Sequence, residues 1–250
     1  MPLFKDIETI DYSQLVSWEQ DALKAFIAKM ENKEHLFPCI PAIQSFSLRH
    51  LRYAFVCCIG SNQATIELAA ILKEFALNCK SYGKYTTLII FFETPQSLIA
   101  KKTVEDFELL FWKQLRLLNK LDEEKWPQHI PEDPSESEWE YCFNGEQYFM
   151  YCATPKHKDR QSRYFPYVMM AITPRWVLQE FNKNTNYAEK IRREVRERIK
   201  NYDAISVHSA LNNYGNKDNY EWKQYFLRDD NTELSSCPFL RRLSNQKEEK

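Results

Sequence analysis

Apolar residues recur at helical spacing over some stretches of this chain and run nearly unbroken over others, and the contrast predicts its elements. Residues 12 to 32 place Leu15, Trp18, Leu23, Phe26, Ile27 and Met30 near a helical period, which predicts an amphipathic helix. Asp11 or Ser13 can cap it. Phe37-Pro-Cys-Ile-Pro41 follows, and its two prolines predict a non-helical link. Leu51 to Ile59 is rich in β-formers and apolar on both faces, the pattern of a buried strand. Ser61 can cap a helix from about Thr65 to Lys80, and Tyr85 to Glu93 reads as a second buried strand. Thr103 opens a third helix, Val104 to Leu121, with Phe107, Leu110, Phe111, Gln114 and Leu118 on one stripe.

The second half changes character. Pro127, Pro131 and Pro134 sit among acidic residues and predict a loop from Pro127 to Glu138. Trp139 to Phe143 and Gln147 to Ala153 flank Asn144-Gly145, the pairing that best fits a two-residue hairpin turn. Tyr167 to Thr173 reads as another strand, and Pro174 opens a short helix to Phe181. Tyr187 to Tyr202 is a helix whose charges are of both signs, as on a solvated face. After Tyr202 the pattern weakens, and Asn245 to Lys250 reads as frayed. There is no repeat and no internal linker. The reading is one α+β domain over residues 1–240, a mainly antiparallel sheet with flanking helices, and a tail at 241–250.

Composition sharpens this picture. With 250 residues, 44% of them apolar, the chain can bury a sizeable core. Aromatics make up 14% and there are only four glycines, which favours a bulky core or a pocket for something flat and apolar over phosphate-cradling loops. A formal net charge of −1 gives no field to attract nucleic acid. The seven cysteines have no zinc spacing, and they read as reduced, mostly buried thiols of a cytoplasmic protein. The first residues lack a signal-peptide core, and no run of about 18 apolar residues predicts a membrane span.

The common nucleotide-binding, hydrolase and zinc-protease motifs are absent. What stands out is Thr154-Pro-Lys-His-Lys-Asp-Arg-Gln-Ser-Arg163, directly after a strand-like aromatic run. An imidazole at a sheet edge can bind a metal or move a proton, so His157 is a candidate ligand against the plainer reading of a surface histidine. Arg160 and Arg163, three apart, can hold a carboxylate or phosphate, or can simply be solvated. Cys39 lies between two prolines and can present a thiolate, or be a small buried thiol. His208 precedes a Tyr-Gly turn. Tyr220-Glu-Trp-Lys-Gln-Tyr-Phe226 can wall a pocket or fill a core.

Taken in order, these pieces resemble the YqcI/YcgG family of bacterial proteins. The resemblance is carried by Phe37-Pro-Cys39, Leu51-Arg-Tyr-Ala-Phe55, Pro155 to Arg163, Pro174-Arg175, His208 with Tyr214-Gly215, Glu221 to Tyr225, and Cys237-Pro-Phe239. It spans about Trp18 to Phe239. Many relatives carry Phe-Pro-Cys-Pro-Phe where this chain has Phe37-Pro-Cys-Ile-Pro41. The resemblance implies a haem-dependent N-oxygenase (a monooxygenase that N-hydroxylates an amine or guanidine of an amino acid). It implies His157 as the axial ligand of haem b iron and Arg160 and Arg163 as propionate partners, with Cys39 and His208 as alternative ligands. It further implies acidic groups holding a cationic substrate and an external electron donor, since no flavin or nicotinamide motif is present. Two alternatives stay open: a non-catalytic haem sensor or carrier, and a haem-free domain binding a small anion or a partner. The aromatic stretches near the C-terminus suit a homodimer surface equally well.

Overall fold

In the computed structural model, which describes residues 3, 4, 7–211 and 219–240, five strands form one sheet in the order β1-β2-β5-β4-β3. The strands are β1 (Leu51–Val56), β2 (Thr87–Phe92), β3 (Tyr141–Phe143), β4 (Glu146–Ala153) and β5 (Val168–Pro174). β1 and β2 run parallel, with Leu51 opposite Thr87, and every other pairing is antiparallel. The α+β expectation holds. The parallel pair exists because a helix, α3 (Asn62–Asn78), carries the chain back between its strands, as parallel pairing requires. The outer edge of β1 is covered by Phe4, whose backbone exchanges two hydrogen bonds with Tyr53.

Alternation along each strand sends side chains to two different cores. Ala54, Val56, Leu88, Ile90, Phe92, Tyr148 and Met150 face α3 and α5 (Val104–Lys120). Tyr53, Phe55, Ile89, Phe91, Ala153 and Met169 face α1 (Ser17–Glu31) and α2 (Ile40–Ser47). The sequence of α5 explains its place. Thr103 and Asp106 form a reciprocal cap at its start, and its stripe buries Phe107, Phe111, Trp112, Leu115 and Leu118. Burying each such side chain stabilises the fold by about 1.5–3 kcal/mol, so Phe111→Ala should cost about 3–5 kcal/mol.

Most predicted elements lie where the pattern put them. Ser61 caps α3 by accepting the Ala64 N–H at 3.0 Å. Asn144 and Gly145 take φ of 51° and 72°, the turn that matches strand twist. Two further helices follow β5: α6 (Arg175–Asn182) and α7 (Thr185–Tyr202). There are three differences. The first helix begins at Ser17, and Asp11 instead caps a separate 3-10 turn, Tyr12–Gln14. Ile40–Ser47 is helical although it follows the Pro-Cys-Ile-Pro run, because Pro41 falls in the first turn, where its missing N–H is not needed. A short helix, α4 (Gln96–Lys101), interrupts the region before α5. The Tyr220–Phe226 segment holds a four-residue helix, α8 (Trp222–Tyr225), and fills the core. The Tyr214-Gly215 turn and the tail at 241–250 lie outside the described residues.

Candidate functional site

The segment 154–163 closes on itself at the end of β4. Thr154 and Arg163 pair through backbone, and Phe165 N–H returns to the Thr154 carbonyl at 3.2 Å. His157 is 1% exposed. Its Nε2 lies 2.8 Å from the Leu227 carbonyl and its Nδ1 2.9 Å from Thr154 Oγ1. A carbonyl only accepts, so Nε2 carries the proton and Nδ1 accepts from the threonine hydroxyl. Burial drives its pKa down to about 4. The ring is therefore neutral, and both nitrogens are engaged.

Its neighbours are equally committed. Arg160, wholly buried, donates to the carbonyls of Arg228 (2.8 Å) and Asp230 (2.9 Å) and to Asn231 Oδ1 (3.1 Å), with the Asp203 carboxylate 3.8 Å away. Arg163 donates to the carbonyls of Gln224 (2.9 Å) and Tyr225 (3.1 Å) and lies 4.2 Å over the ring of Tyr151. Asp229 accepts the backbone N–H groups of Lys158, Asp159 and Arg160. His208 accepts the Ala210 N–H on Nδ1 at 3.1 Å. The bonds of residues 157–163 clamp this segment to Asp203, Ser206 and residues 224–231. Buried polar groups must be satisfied, and here the guanidinium forks are satisfied by protein carbonyls.

Cys39 stands apart from this clamp. It lines a cavity of about 320 Å³ between the sheet and the helices α1, α2, α6 and α7. Phe26, Phe37, Ile89, Phe149, Tyr151 and Met169 supply apolar and aromatic wall, and Thr87 and Thr173 share a hydrogen bond of 3.0 Å on the strand side. Cys39 is the residue before the first turn of α2, and its carbonyl receives the Ile43 N–H at 3.1 Å. Burial pushes its thiol pKa up, while the Ala42 N–H and the charge of Arg163 pull it down. The clamp thus touches the cavity from behind: Arg163 stacks on the wall residue Tyr151, whose hydroxyl donates to the Ser162 carbonyl at 2.5 Å.

The charged residues on the described lining are Lys29 and Arg192, and none is an acid. Lys29 donates to the carbonyls of Tyr164 (3.0 Å) and Gln161 (3.3 Å), and burial lowers its pKa to about 8, partly offset by Asp203. Arg192 donates to Asn182 Oδ1 at 2.8 Å. The acidic groups expected for a cationic substrate are not on this lining. Sequence reading missed Lys29, Tyr151 and Arg192. The signal for Tyr151 was available in the alternation of β4, where Phe149, Tyr151 and Ala153 share the face opposite Tyr148, Met150 and Cys152. Among the described residues no cluster of three or more His, Cys, Asp or Glu side chains is arranged to hold a metal ion. No described helix is long and apolar enough to cross a membrane.

Comparison with known proteins places this geometry in context. The model of the YqcI/YcgG family matches residues 23–240. The uncharacterized protein YqcI of Bacillus subtilis (strain 168) is 43% identical over 236 residues, covering 94% of this chain and 92% of its own. The uncharacterized protein YcgG of the same organism is 42% identical over 226 residues, covering 90% and 89%. A more distant relative from Streptomyces lavendulae bears the provisional name N(omega)-hydroxy-L-arginine synthase DcsA. It is 28% identical over 233 residues, covering 90% of this chain and 85% of its own. No solved structure matches the chain.

Proposed function

The chain belongs to the YqcI/YcgG family, and from that premise we propose that it oxygenates a nitrogen of a small amino-acid-like substrate, with haem held in the cavity through Cys39. The distant relative's name supports N-oxygenation as the reaction class. One observation carries the choice of ligand: Cys39 is a thiol on the wall of an apolar, aromatic cavity, whereas both ring nitrogens of His157 are already hydrogen-bonded within the protein.

The residue types on the lining support a haem as the group held there. Such a group needs one axial donor, an apolar slot and cations for its carboxylates. Cys39 would be the donor, and iron binding would deprotonate its thiol despite the raised pKa. Phe26, Phe37, Phe149 and Met169 form apolar walls, and Lys29 and Arg192 would be the cations for the propionates or for a substrate carboxylate. When bound, the haem supplies the activation of dioxygen or peroxide that the side chains here cannot. The protein's own contribution is positional. Tyr151 keeps its hydroxyl turned away onto Ser162, so that its ring rather than its oxygen faces the cavity. Arg163 holds that ring from behind. A neutral amine or guanidine nitrogen meets no carboxylate on the described lining, so substrate orientation falls to its own carboxylate and the two cations.

The cationic, acid-free lining also favours a second reading, a haem-free pocket for an apolar carboxylate. An absorption spectrum after expression with a haem precursor separates the two. We expect a stoichiometric Soret band, and after dithionite and carbon monoxide the band position of a thiolate ligand. Cys39→Ala should lose haem, while His157→Gln should keep the spectral class. Retention of the normal spectrum in Cys39→Ala would remove Cys39 as ligand. No Soret band even on haem titration would leave the carboxylate pocket. Product analysis on amines and guanidines then tests the reaction.

A further inference from the structure

Tyr225 lies in the core that faces α3 and α5, directly behind the cavity wall. Its hydroxyl bridges the first rung between β3 and β4, accepting the Tyr141 N–H at 3.2 Å and donating to the Tyr148 carbonyl at 3.0 Å. Its ring lies 5.5 Å from Phe149, on the cavity wall, and 6.4 Å from Trp139, deeper in the same core. Trp139 in turn stacks on Trp126, 6.2 Å away with planes 22° apart. Trp126 is half-buried at the molecular surface. A line of four rings therefore runs from the cavity wall to solvent.

The chemistry along this line is graded. Tryptophan and tyrosine are the side chains that most readily give up one electron, and transfer between them falls steeply with distance, so contacts of this length matter. Tyr225 donates to a backbone carbonyl, which cannot take its proton, so oxidised tyrosine is disfavoured there and its ring serves as a bridge. Trp139 is wholly buried, and its indole N–H has no hydrogen-bond partner among the described residues. One-electron oxidation leaves it a radical cation that keeps its proton, so the positive charge can move on. Trp126 differs: its N–H donates to the Ile130 carbonyl at 3.1 Å and the residue is half-buried, so that dipole and the nearby solvent stabilise a positive charge on its ring. The charge stops there, within reach of dissolved reductant. Trp112 and Trp222 form a side branch, both buried and with N–H groups lacking described partners, and the branch has no such exit.

We propose that Trp139 and Trp126 form an electron relay that lets a dissolved thiol discharge an oxidant generated in the cavity when no substrate is there to consume it. The proposal rests on the oxidative reading of the cavity. Each passage takes one electron from Trp139, which is refilled by Trp126, which is refilled by a thiol that becomes half of a disulfide. Two passages with two protons convert one hydrogen peroxide and two thiols into two waters and one disulfide.

The test places the oxidant in the cavity independently of haem. Cys39, Cys57 and Cys58 are the half-buried thiols, and the other four are buried. A Cys57→Ser, Cys58→Ser background thus directs a rhenium-diimine photo-oxidant to Cys39. After a flash we expect tryptophan radical absorption that added glutathione quenches. Trp139→Phe should cut the radical yield at least tenfold, Trp126→Phe should abolish the glutathione quench, and Trp222→Phe should change neither. An unchanged yield in Trp139→Phe, or a surviving quench in Trp126→Phe, would overturn the relay. Should Trp139→Phe not fold, the half-exposed Trp126 variant decides alone. A missing Soret band in unlabelled protein would count against haem and leave this result standing.

Discussion

The clamp around His157 and the cavity around Cys39 adjoin one another, yet they satisfy their polar groups in opposite ways. In the clamp, two arginines, His157 and the Asp229 carboxylate are met by carbonyls, amides and hydroxyls at hydrogen-bond distance. In the cavity, a thiol faces aromatic and aliphatic wall, with two cations on the lining. Residue types that can perform chemistry are thus denser in the region where they are already used. Spare bonding capacity, rather than the count of reactive side chains, marks the place where a cofactor or substrate can be accommodated.

That contrast can be broken most sharply at Arg163. Arg163→Ala strands buried carbonyls of Gln224 and Tyr225, which should cost about 3–5 kcal/mol and lower the melting temperature by roughly 10 °C. A melting temperature within a degree or two of the parent would show that the clamp is not structural. The next effect is pH dependence. His157 has a folded pKa of about 4 against an ordinary 6.5. Its contribution is therefore full above pH 6.5 and is lost as pH falls toward 4, because the unfolded chain takes a proton that the buried ring refuses. Roughly 3 kcal/mol should disappear across that window, read as a shift in urea midpoint that His157→Gln reduces. Asp229→Ala removes an acceptor from three backbone amides and should cost about 1–2 kcal/mol in the same assay. Cavity variants should behave otherwise. Cys39→Ser is expected to change stability by less than about 1 kcal/mol while removing haem from the purified protein. A subtler effect should come from Lys29: with a pKa of about 8, its ammonium is held below that pH and lost above it. Calorimetric binding of octanoate by haem-free protein should weaken about tenfold from pH 7 to pH 9, and Lys29→Met should flatten that dependence.

Much of the fold was legible because its signals were local. Ser61, Thr103 and Asn144-Gly145 each act within a few residues, and they fix the ends of two helices and a hairpin. The helix Ile40–Ser47 was masked by its own prolines, which speak against a helix everywhere except in the first turn. The candidate site was legible only in part. The sequence pointed to His157, Arg160 and Arg163 as remarkable residues, but their hydrogen-bond partners lie about seventy positions away, and no spacing rule announces a carbonyl at Leu227 or Arg228. Lys29 and Arg192 reach one cavity from different helices, which a one-dimensional pattern cannot show.

The length of those clamp connections has a consequence for how the molecule is made. A chain emerging from the ribosome can complete α1, α2 and β4 long before residues 224–231 exist, so Arg160 and Arg163 must wait without their carbonyls until those residues have been synthesised. The ring of Tyr151 gains its backing only then. Completion of the cavity wall is thereby deferred until those residues have been made, and a chain interrupted before Gln224 would carry Cys39 but lack a finished pocket around it.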